Sequence, residues 1–392
     1  MLYLDRAATA PVRREVLEAM WPYLTGVFGN ASSTHDVGAQ AARGLADARI
    51  AVARALGCRP GEVVFTAGGT EADNTAVKGI ALGHSAASAV HRARAAGRQP
   101  RVVTSPIEHD AVLGSCDYLV RHHGFAVDHV TVDQDGRVDP ASLAPLLGQD
   151  TVLVSIAHAD NEIGTVQDIP ALAAVARAGG VPFHTDAVQS APWLPIGLDV
   201  LRVDAVSVSG HKLGAPKGTG ALAVRSRVRL EPLLHGGGQE RGSRSGTEDV
   251  AGAVGLAAAT ALRGVVRARA AEDATAARDV LVDGVLGRVP GAVLTGSREH
   301  RLPGHASFCF PEANGETVLL ELEARGIVSS SGSACAAGSA DASHVLLALG
   351  LPEELARTAV RFTFDETLTT TDAAQVVDEI VDAVGRVRAL RS

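Results

Sequence analysis

An α/β fold, with a mostly parallel sheet and a second, smaller α+β unit, is predicted by three features of this 392-residue sequence. Short continuous apolar runs alternate with helical patterns through its first two thirds, the mark of parallel strands covered on both faces. After about Asp249 the alternation gives way to a long Ala-rich helical stretch. Polar residues recur just past the strand ends, where open α/β sheets bind ligands.

Glu62 to Thr66 reads as a strand, followed by Gly68-Gly69-Thr70 and a helix opening at Glu71. Strand Arg101–Thr104 precedes helix Asp110–His123, and strand Ala126–Val132 precedes a helix near Pro140 to Leu147. Strand Thr151–Ala157, a helix near Pro170 to Ala178, and strands Val181–Thr185, Val203–Ser209 and Thr219–Val224 bring the strands to seven. Beyond them come helix Val250 to Arg288, strand Ala306–Phe310, helix Glu316–Ala324 and a small-residue loop from Ser329 to Ala342. Strand Val360–Phe364 and helix Thr371–Leu390 close the chain.

Composition narrows the function classes. Hydrophobic residues make up 46% and charged residues 20%, so the chain is globular rather than disordered. A net charge of −8 argues against nucleic acid or a membrane surface as the main partner. Cys58, Cys116, Cys309 and Cys335 are far apart and form no C-x-x-C, which disfavours a disulfide framework, a structural zinc and any metal site. A reduced, cytoplasmic setting is the expectation. The opening MLYLDRAATAP has no apolar signal core, and the run from Val250 to Leu262 is too short to span a bilayer.

Eight polar residues fall at predicted strand ends: Thr70, His109, Asn161, Asp186, Gln189, Ser209, His211 and Lys212. One alone would mean little; eight suggest a shared site. Gly69 and Thr70 can present helix-start amides to an anion, although, taken alone, an ordinary turn and N-cap explain them better. Lys212, beside Gly210 and after a buried strand, suits a Schiff base, while a solvated loop lysine is the plainer reading. Asp186 can pair with a protonated pyridine nitrogen or simply cap a helix. Together Lys212 and Asp186 are what pyridoxal 5'-phosphate (PLP) needs: one group for its aldehyde, one for its ring nitrogen. Cys335 lies in a Ser/Gly/Ala run without large apolar neighbours, which favours an accessible nucleophile over a core thiol. Arg361 inside an apolar strand needs an anionic partner, a substrate carboxylate or a structural salt bridge. Gly218-Thr219-Gly220 runs into a strand, the wrong context for a dinucleotide fingerprint.

The sequence resembles the cysteine desulfurases, a branch of the class-V aminotransferase family of PLP enzymes. The resemblance runs through Leu4 to Thr9, Phe28 to Ser33, Phe65 to Asn74, Glu108-His109, His158 to Gly164, Ser209 to Lys212, His235 to Thr247 and Ser330 to Cys335. It implies the PLP-dependent transferase fold type I, with a large cofactor-binding domain at 13–255. Residues 1–12 and 256–392 would form a smaller α+β domain carrying the catalytic cysteine. It further implies Lys212 as the Schiff-base lysine, Asp186 at the pyridine nitrogen, His109 stacked on the ring with an acid–base role, and Gln189 at the phenolic oxygen. Gly69, Thr70, Ser209 and His211 would form the phosphate cup. Thr247 would reach the phosphate of a neighbouring subunit, so a homodimer is implied. Asn161 would touch both cofactor and substrate, Arg361 the substrate carboxylate, and Cys335 would accept sulfur from L-cysteine. The sulfur would pass to an acceptor protein, an iron–sulfur scaffold or a thiolation enzyme. A class-V transaminase or selenocysteine lyase is the alternative, and Cys335 discriminates, since a transaminase does not need it. Arg6, Asp160 and Asp365 depart from the common pattern at positions expected to lie away from the chemistry.

Overall fold

The computed structural model describes residues 1–331 and 342–390. Its first strand, β1 (Leu2–Tyr3), belongs to the second half of the molecule. The seven that follow are β2 (Val63–Thr66), β3 (Arg101–Thr104), β4 (Ala126–His129), β5 (Thr151–Ser155), β6 (Phe183–Asp186), β7 (Ala205–Ser209) and β8 (Gly220–Val224). These build one seven-stranded sheet in the order β2-β8-β7-β6-β5-β3-β4. Neighbours from β4 to β7 pair in parallel, and β8 is antiparallel to both β7 and β2.

The sheet is covered on both faces, as its continuous apolar strands require. Val206, Val208, Ala221 and Ala223 turn to one face, against helices Asp36–Ala55 and Ile169–Ala178 and the start of Val250–Arg288. Ala205 and Leu222 turn to the other, against Ala72, Ala76 and Ile80 of helix Gly69–Leu82 and Leu119 of helix Asp110–His123. The period of two along each strand sets this division.

A second core surrounds an antiparallel sheet of β9 (Val293–Leu294), β10 (His305–Cys309) and β12 (Ala359–Thr363), with β10 in the middle. Phe308 packs on Phe310 and Phe362, at ring-centroid distances of 5.9 and 6.3 Å. Helix Thr370–Ala389 covers them with Val376, Ile380 and Val384. The first strand pairs in parallel with β11 (Ile327–Val328), so the N-terminal segment is tied to this core.

Helix Val250–Arg288 joins the two cores. Leu256 and Ala259 bury in the first, Leu281 and Val285 in the second. Its 39 residues span about 58 Å at 1.5 Å each. By length and composition it could cross a membrane, but 56% of its most apolar window is buried within the fold.

Several elements differ from the sequence expectation. The strand expected to reach Val132 stops at His129, and Val132 makes only an isolated bridge to Val138. The helix near Pro140 to Leu147 breaks into an α-turn, Pro140–Leu143, and a 3-10 turn, Ala144–Leu146; Pro145 lacks the amide a continuous helix requires there. Helices Arg14–Thr25 and Asp36–Ala55 were not anticipated, because Pro22 in one and Gly38 and Gly44 in the other weaken the helical signal.

One close approach in the sheet bears on the site. A Cβ on Gly220 would lie 2.7 Å from the backbone of Gly68, in the turn that leads into helix Gly69–Leu82. Backbone cannot swing aside as a side-chain end can. Gly220→Ala is therefore expected to cost about 1–3 kcal/mol, measured as a lower denaturation midpoint; an unchanged midpoint would contradict the tight β8–turn packing.

Candidate active site

A cavity of about 890 Å³ opens at the carboxyl ends of β2, β3, β5, β6 and β7. This is where the loops of a parallel sheet converge. Gly69, Thr70, His109, Asn161, Asp186, Gln189, Ser209, His211 and Lys212 all line it.

Lys212 is placed by the end of a strand. All five residues of β7 are buried, and the short helix Gly210–Leu213 follows at once, ending at Gly214 in the left-handed region (φ 88°). The Lys212 Nζ donates to the carbonyl of Ala7, and to that of Ala8 at 2.7 Å. Gln189 Nε2 also donates to the Ala7 carbonyl, at 3.1 Å. The N-terminal segment thus forms one wall of the site.

Asp186 ends β6 and accepts from the Val188 amide at 2.7 Å. Burial pushes its carboxyl pKa up, while the Val188 amide and the charges of His109 and Lys212 pull it down. Asp73 stands behind it on helix Gly69–Leu82, 1% exposed, and its pKa is raised well above the usual range by burial and by the Asp186 charge. His109 caps helix Asp110–His123: its Nδ1 accepts from the Ala111 amide at 3.0 Å. Ring nitrogen Nδ1 is therefore an acceptor, so a ring proton sits on Nε2.

At the other end of the cavity, Gly68 and Gly69 open helix Gly69–Leu82 with no side-chain cap. A Cβ on Gly69 would come within 2.8 Å of Val188, so the backbone there passes close by. Among the described residues, Ser209 Oγ is buried without a hydrogen-bond partner. His211 Nδ1 pairs with Thr9 Oγ1 at 3.1 Å, and burial, with Lys212 and Lys217 nearby, pushes its pKa down to about 4. Glu71, in the first helical turn, is held off by Arg244 Nε at 2.6 Å and by the Ala67 amide at 2.8 Å.

The other expected site residues are placed differently. Arg361 is 2% exposed and lies outside the cavity lining; its guanidinium donates to Asp5 Oδ1 and to the Asn161 carbonyl, each at 2.8 Å. Thr247 is exposed and outside the lining. Cys335 lies outside the described residues. The expectation that Asp160 lies away from the chemistry is corrected: it lines the cavity. Its Oδ1 accepts from the amides of Glu162 and Ile163, both at 2.7 Å, yet burial pushes its pKa up to about 7.

Asp73, Glu108 and the carbonyls of Ala7 and Ala8 were not assigned roles from sequence. Asp73 follows Gly69 by four residues, so helical periodicity puts it on the same face. Glu108 is buried beside His109 and accepts from Ser105 Oγ at 2.7 Å and the Ala157 amide at 2.9 Å. Burial nonetheless pushes its pKa from 4.5 up to about 8.

A carboxyl whose folded pKa is raised contributes stability fully present below its unfolded pKa and lost as pH rises through the folded one. The native protein should lose stability relative to Glu108→Gln between about pH 4.5 and 8, by a few kcal/mol in order of magnitude. Thermal denaturation of both proteins across that window checks it; a gap independent of pH would contradict a protonated Glu108.

The aminotransferase class-V family model matches residues 2–376. Cysteine desulfurase IscS of Dictyoglomus turgidum is 40% identical, covering 99% of this chain and 96% of that protein. The IscS-like cysteine desulfurase of Mycobacterium tuberculosis is 42% identical, covering 99% of this chain and 97% of that one. Among solved structures, a NifS-like protein superposes with a TM-score of 0.88 at 34% identity, covering 98% of this chain and 99% of that one. A structure of SspA in complex with cysteine gives a TM-score of 0.79 at 35% identity, covering 93% of this chain and 99% of that one.

Proposed function

The chain belongs to the class-V aminotransferase family, in its cysteine desulfurase branch, and on that premise we propose that it uses PLP to convert L-cysteine to L-alanine, passing the sulfur to Cys335 as a persulfide. The observation that carries the reading is the convergence of Lys212 and Asp186 on one cavity.

The residues present fit the cofactor. Asp186 offers a buried carboxylate for a ring nitrogen, and His109 an imidazole beside it. At the glycine-lined end, Ser209 Oγ is a buried hydroxyl without a partner among the described residues, and Gly69, Thr70 and His211 stand with it on the cavity wall. We assign Gln189 to the phenolic oxygen. When bound, PLP supplies a sink for the electron pair left at the substrate Cα.

The protein's own groups do the rest. Lys212 Nζ, held by the Ala7 and Ala8 carbonyls, takes the substrate α-proton and returns it later. Asp186 keeps positive charge on the nitrogen it faces. Asn161 orients the substrate, and Arg361 meets its carboxylate by exchanging its bond to Asp5. The Cys335 thiolate attacks the substrate sulfur: an S–S bond forms as the substrate Cβ–S bond breaks, and the three-carbon remainder leaves as alanine once protonated. His109 is placed to supply a proton at this stage.

We infer a division of labour between residues 13–255, which bind the cofactor, and 1–12 with 256–392, which carry the Cys335 loop. A second copy of the chain is part of the reading. Leu17, Trp21 and Leu24 are 52–66% exposed at helical spacing on helix Arg14–Thr25, with Phe28 exposed just beyond its end, an apolar face suited to a partner. Thr247, exposed on its own chain, would then reach the other copy's phosphate. We place the enzyme in the cytoplasm, delivering sulfur to an iron–sulfur scaffold or a thiolation enzyme.

The test is one incubation of PLP-loaded protein with L-cysteine and a thiol reductant, counting alanine and sulfide. Equal amounts are expected. Amino transfer without sulfide, or no alanine, would overturn the reading. Cys335→Ala should keep the cofactor's absorbance and lose persulfide formation to background; wild-type turnover in that variant would remove Cys335 from its role.

A further inference from the structure

The small antiparallel sheet turns one face into the second core: Ala306 and Phe308 of β10, Val360 and Phe362 of β12. The period of two puts His305, Ser307, Arg361 and Thr363 on the opposite face, all of them buried. Three of these four side chains bond to segments that line the cavity. His305 Nε2 donates to the Asn161 carbonyl at 3.3 Å, and Arg361 donates to the same oxygen at 2.8 Å. Thr363 holds the N-terminal segment, against which Lys212 rests.

Thr363 binds that segment three times. Its amide donates to the Leu4 carbonyl at 2.8 Å, and its carbonyl accepts from the Arg6 amide at 3.0 Å. Any residue with a free amide can make those two bonds. The third is particular to a hydroxyl side chain: Thr363 Oγ1 accepts from the Ala7 amide at 2.8 Å. On the far side of Ala7, its carbonyl accepts from Lys212 Nζ and from Gln189 Nε2. One residue therefore joins the Thr363 hydroxyl to two groups of the active site.

Packing alone does not fix Ala7 there. A second cavity, of about 330 Å³, is lined by Ala7 and Thr363, and Gln189 and Lys212 line both cavities. The wall formed by Ala7 and Ala8 thus has open space on either side. Close packing specifies direction only where neighbours fill the space, so hydrogen bonds have to set it here.

We propose that Thr363 is a positioning residue: its hydroxyl holds the Ala7 amide, and through the Ala7 carbonyl it sets where the Lys212 amine and the Gln189 amide stand at the cavity. The consequence for turnover rests on the reading of Lys212 as the group that takes the substrate α-proton; the placing of the amine does not.

The test has two arms. In the first, full-length protein without added cofactor is methylated with formaldehyde and a borane reductant, as wild type, Thr363→Val and Thr363→Ser. Peptide mapping by mass spectrometry then counts methylation at each lysine. Lys217 is an exposed amine on the same cavity and Lys78 lies over the Tyr118 ring, so both are internal references. Valine keeps threonine's shape and removes the acceptor. It should free the Lys212 amine and raise its labelling rate relative to Lys217 by about fivefold, the worth of one hydrogen bond of ordinary net strength. Serine should restore the wild-type ratio. An unchanged ratio in Thr363→Val overturns the proposal, as does an equal rise in Thr363→Ser or at Lys78. In the second arm, the loaded enzyme is assayed with L-cysteine. Thr363→Val should lower kcat by about tenfold, with KM near the wild-type value and Thr363→Ser near wild type in both. A change in KM alone, or an equal loss in Thr363→Ser, overturns the positioning role. Should Thr363→Val fail to fold, Thr363→Ala, which removes the hydroxyl and adds no bulk, is read in the same way. Should the chain prove not to act on cysteine, the first arm still decides whether Thr363 places the amine.

Discussion

The burial of the Asp186 carboxyl among the polar groups of the cavity is the constraint around which this site is organised. The carboxylate is buried at the end of a parallel strand, where burial alone would protonate it. Its pKa stays raised overall; the Val188 amide, His109 at the cap of the helix after β3, and Lys212 from the helix after β7 offset part of the effect of burial. Asp73, Glu108 and Asp160 are pushed upward by burial as well, and of these carboxyls Asp186 is the one that Lys212 and His109 draw back down. A buried carboxyl at the strand end, with Lys212 and His109 beside it on the cavity wall, is what a protonated ring nitrogen requires.

The second core supports this arrangement from outside the sheet. The carbonyls that hold Lys212 belong to Ala7 and Ala8, on a segment anchored to β12: Thr363 Oγ1 accepts from the Ala7 amide at 2.8 Å, and Asp5 binds Arg361 at 2.8 Å. Arg6 pairs with Asp365 at 2.7 Å, so two departures from the family pattern meet each other. That pair is partly exposed and contributes little energy on its own. Its effect is to tie the lysine's wall to the sheet carrying Arg361, so the two halves of the site are positioned by one segment.

Much of this was legible in the sequence because sheet geometry turns local pattern into place. Asp186, Ser209 and Lys212 follow continuous apolar runs, and a parallel sheet brings such ends together whatever their separation in the chain. The seven strands were readable for the same reason. Asp73 was less visible: its residue type suggests a helix-start carboxylate in water, and only the packing of its helix against β6 and β7 buries it. The Ala7 and Ala8 carbonyls left no signal, since backbone groups carry no side-chain identity. Asp160 was misplaced because a departure from a family pattern says nothing about where a residue points.

On the proposed reading, Lys212, and no other amine, holds the cofactor. The chain makes the measurement clean, for its lysines are Lys78, Lys212 and Lys217. Lys78 lies over the Tyr118 ring at 4.5 Å, away from the cavity, whereas Lys217 lines it alongside Lys212. Reduction of the PLP-loaded protein with borohydride, followed by peptide mapping by mass spectrometry, locates the bond directly. The reduced cofactor's mass is expected on Lys212. Mass on Lys217, or no covalent addition to any lysine, would contradict it.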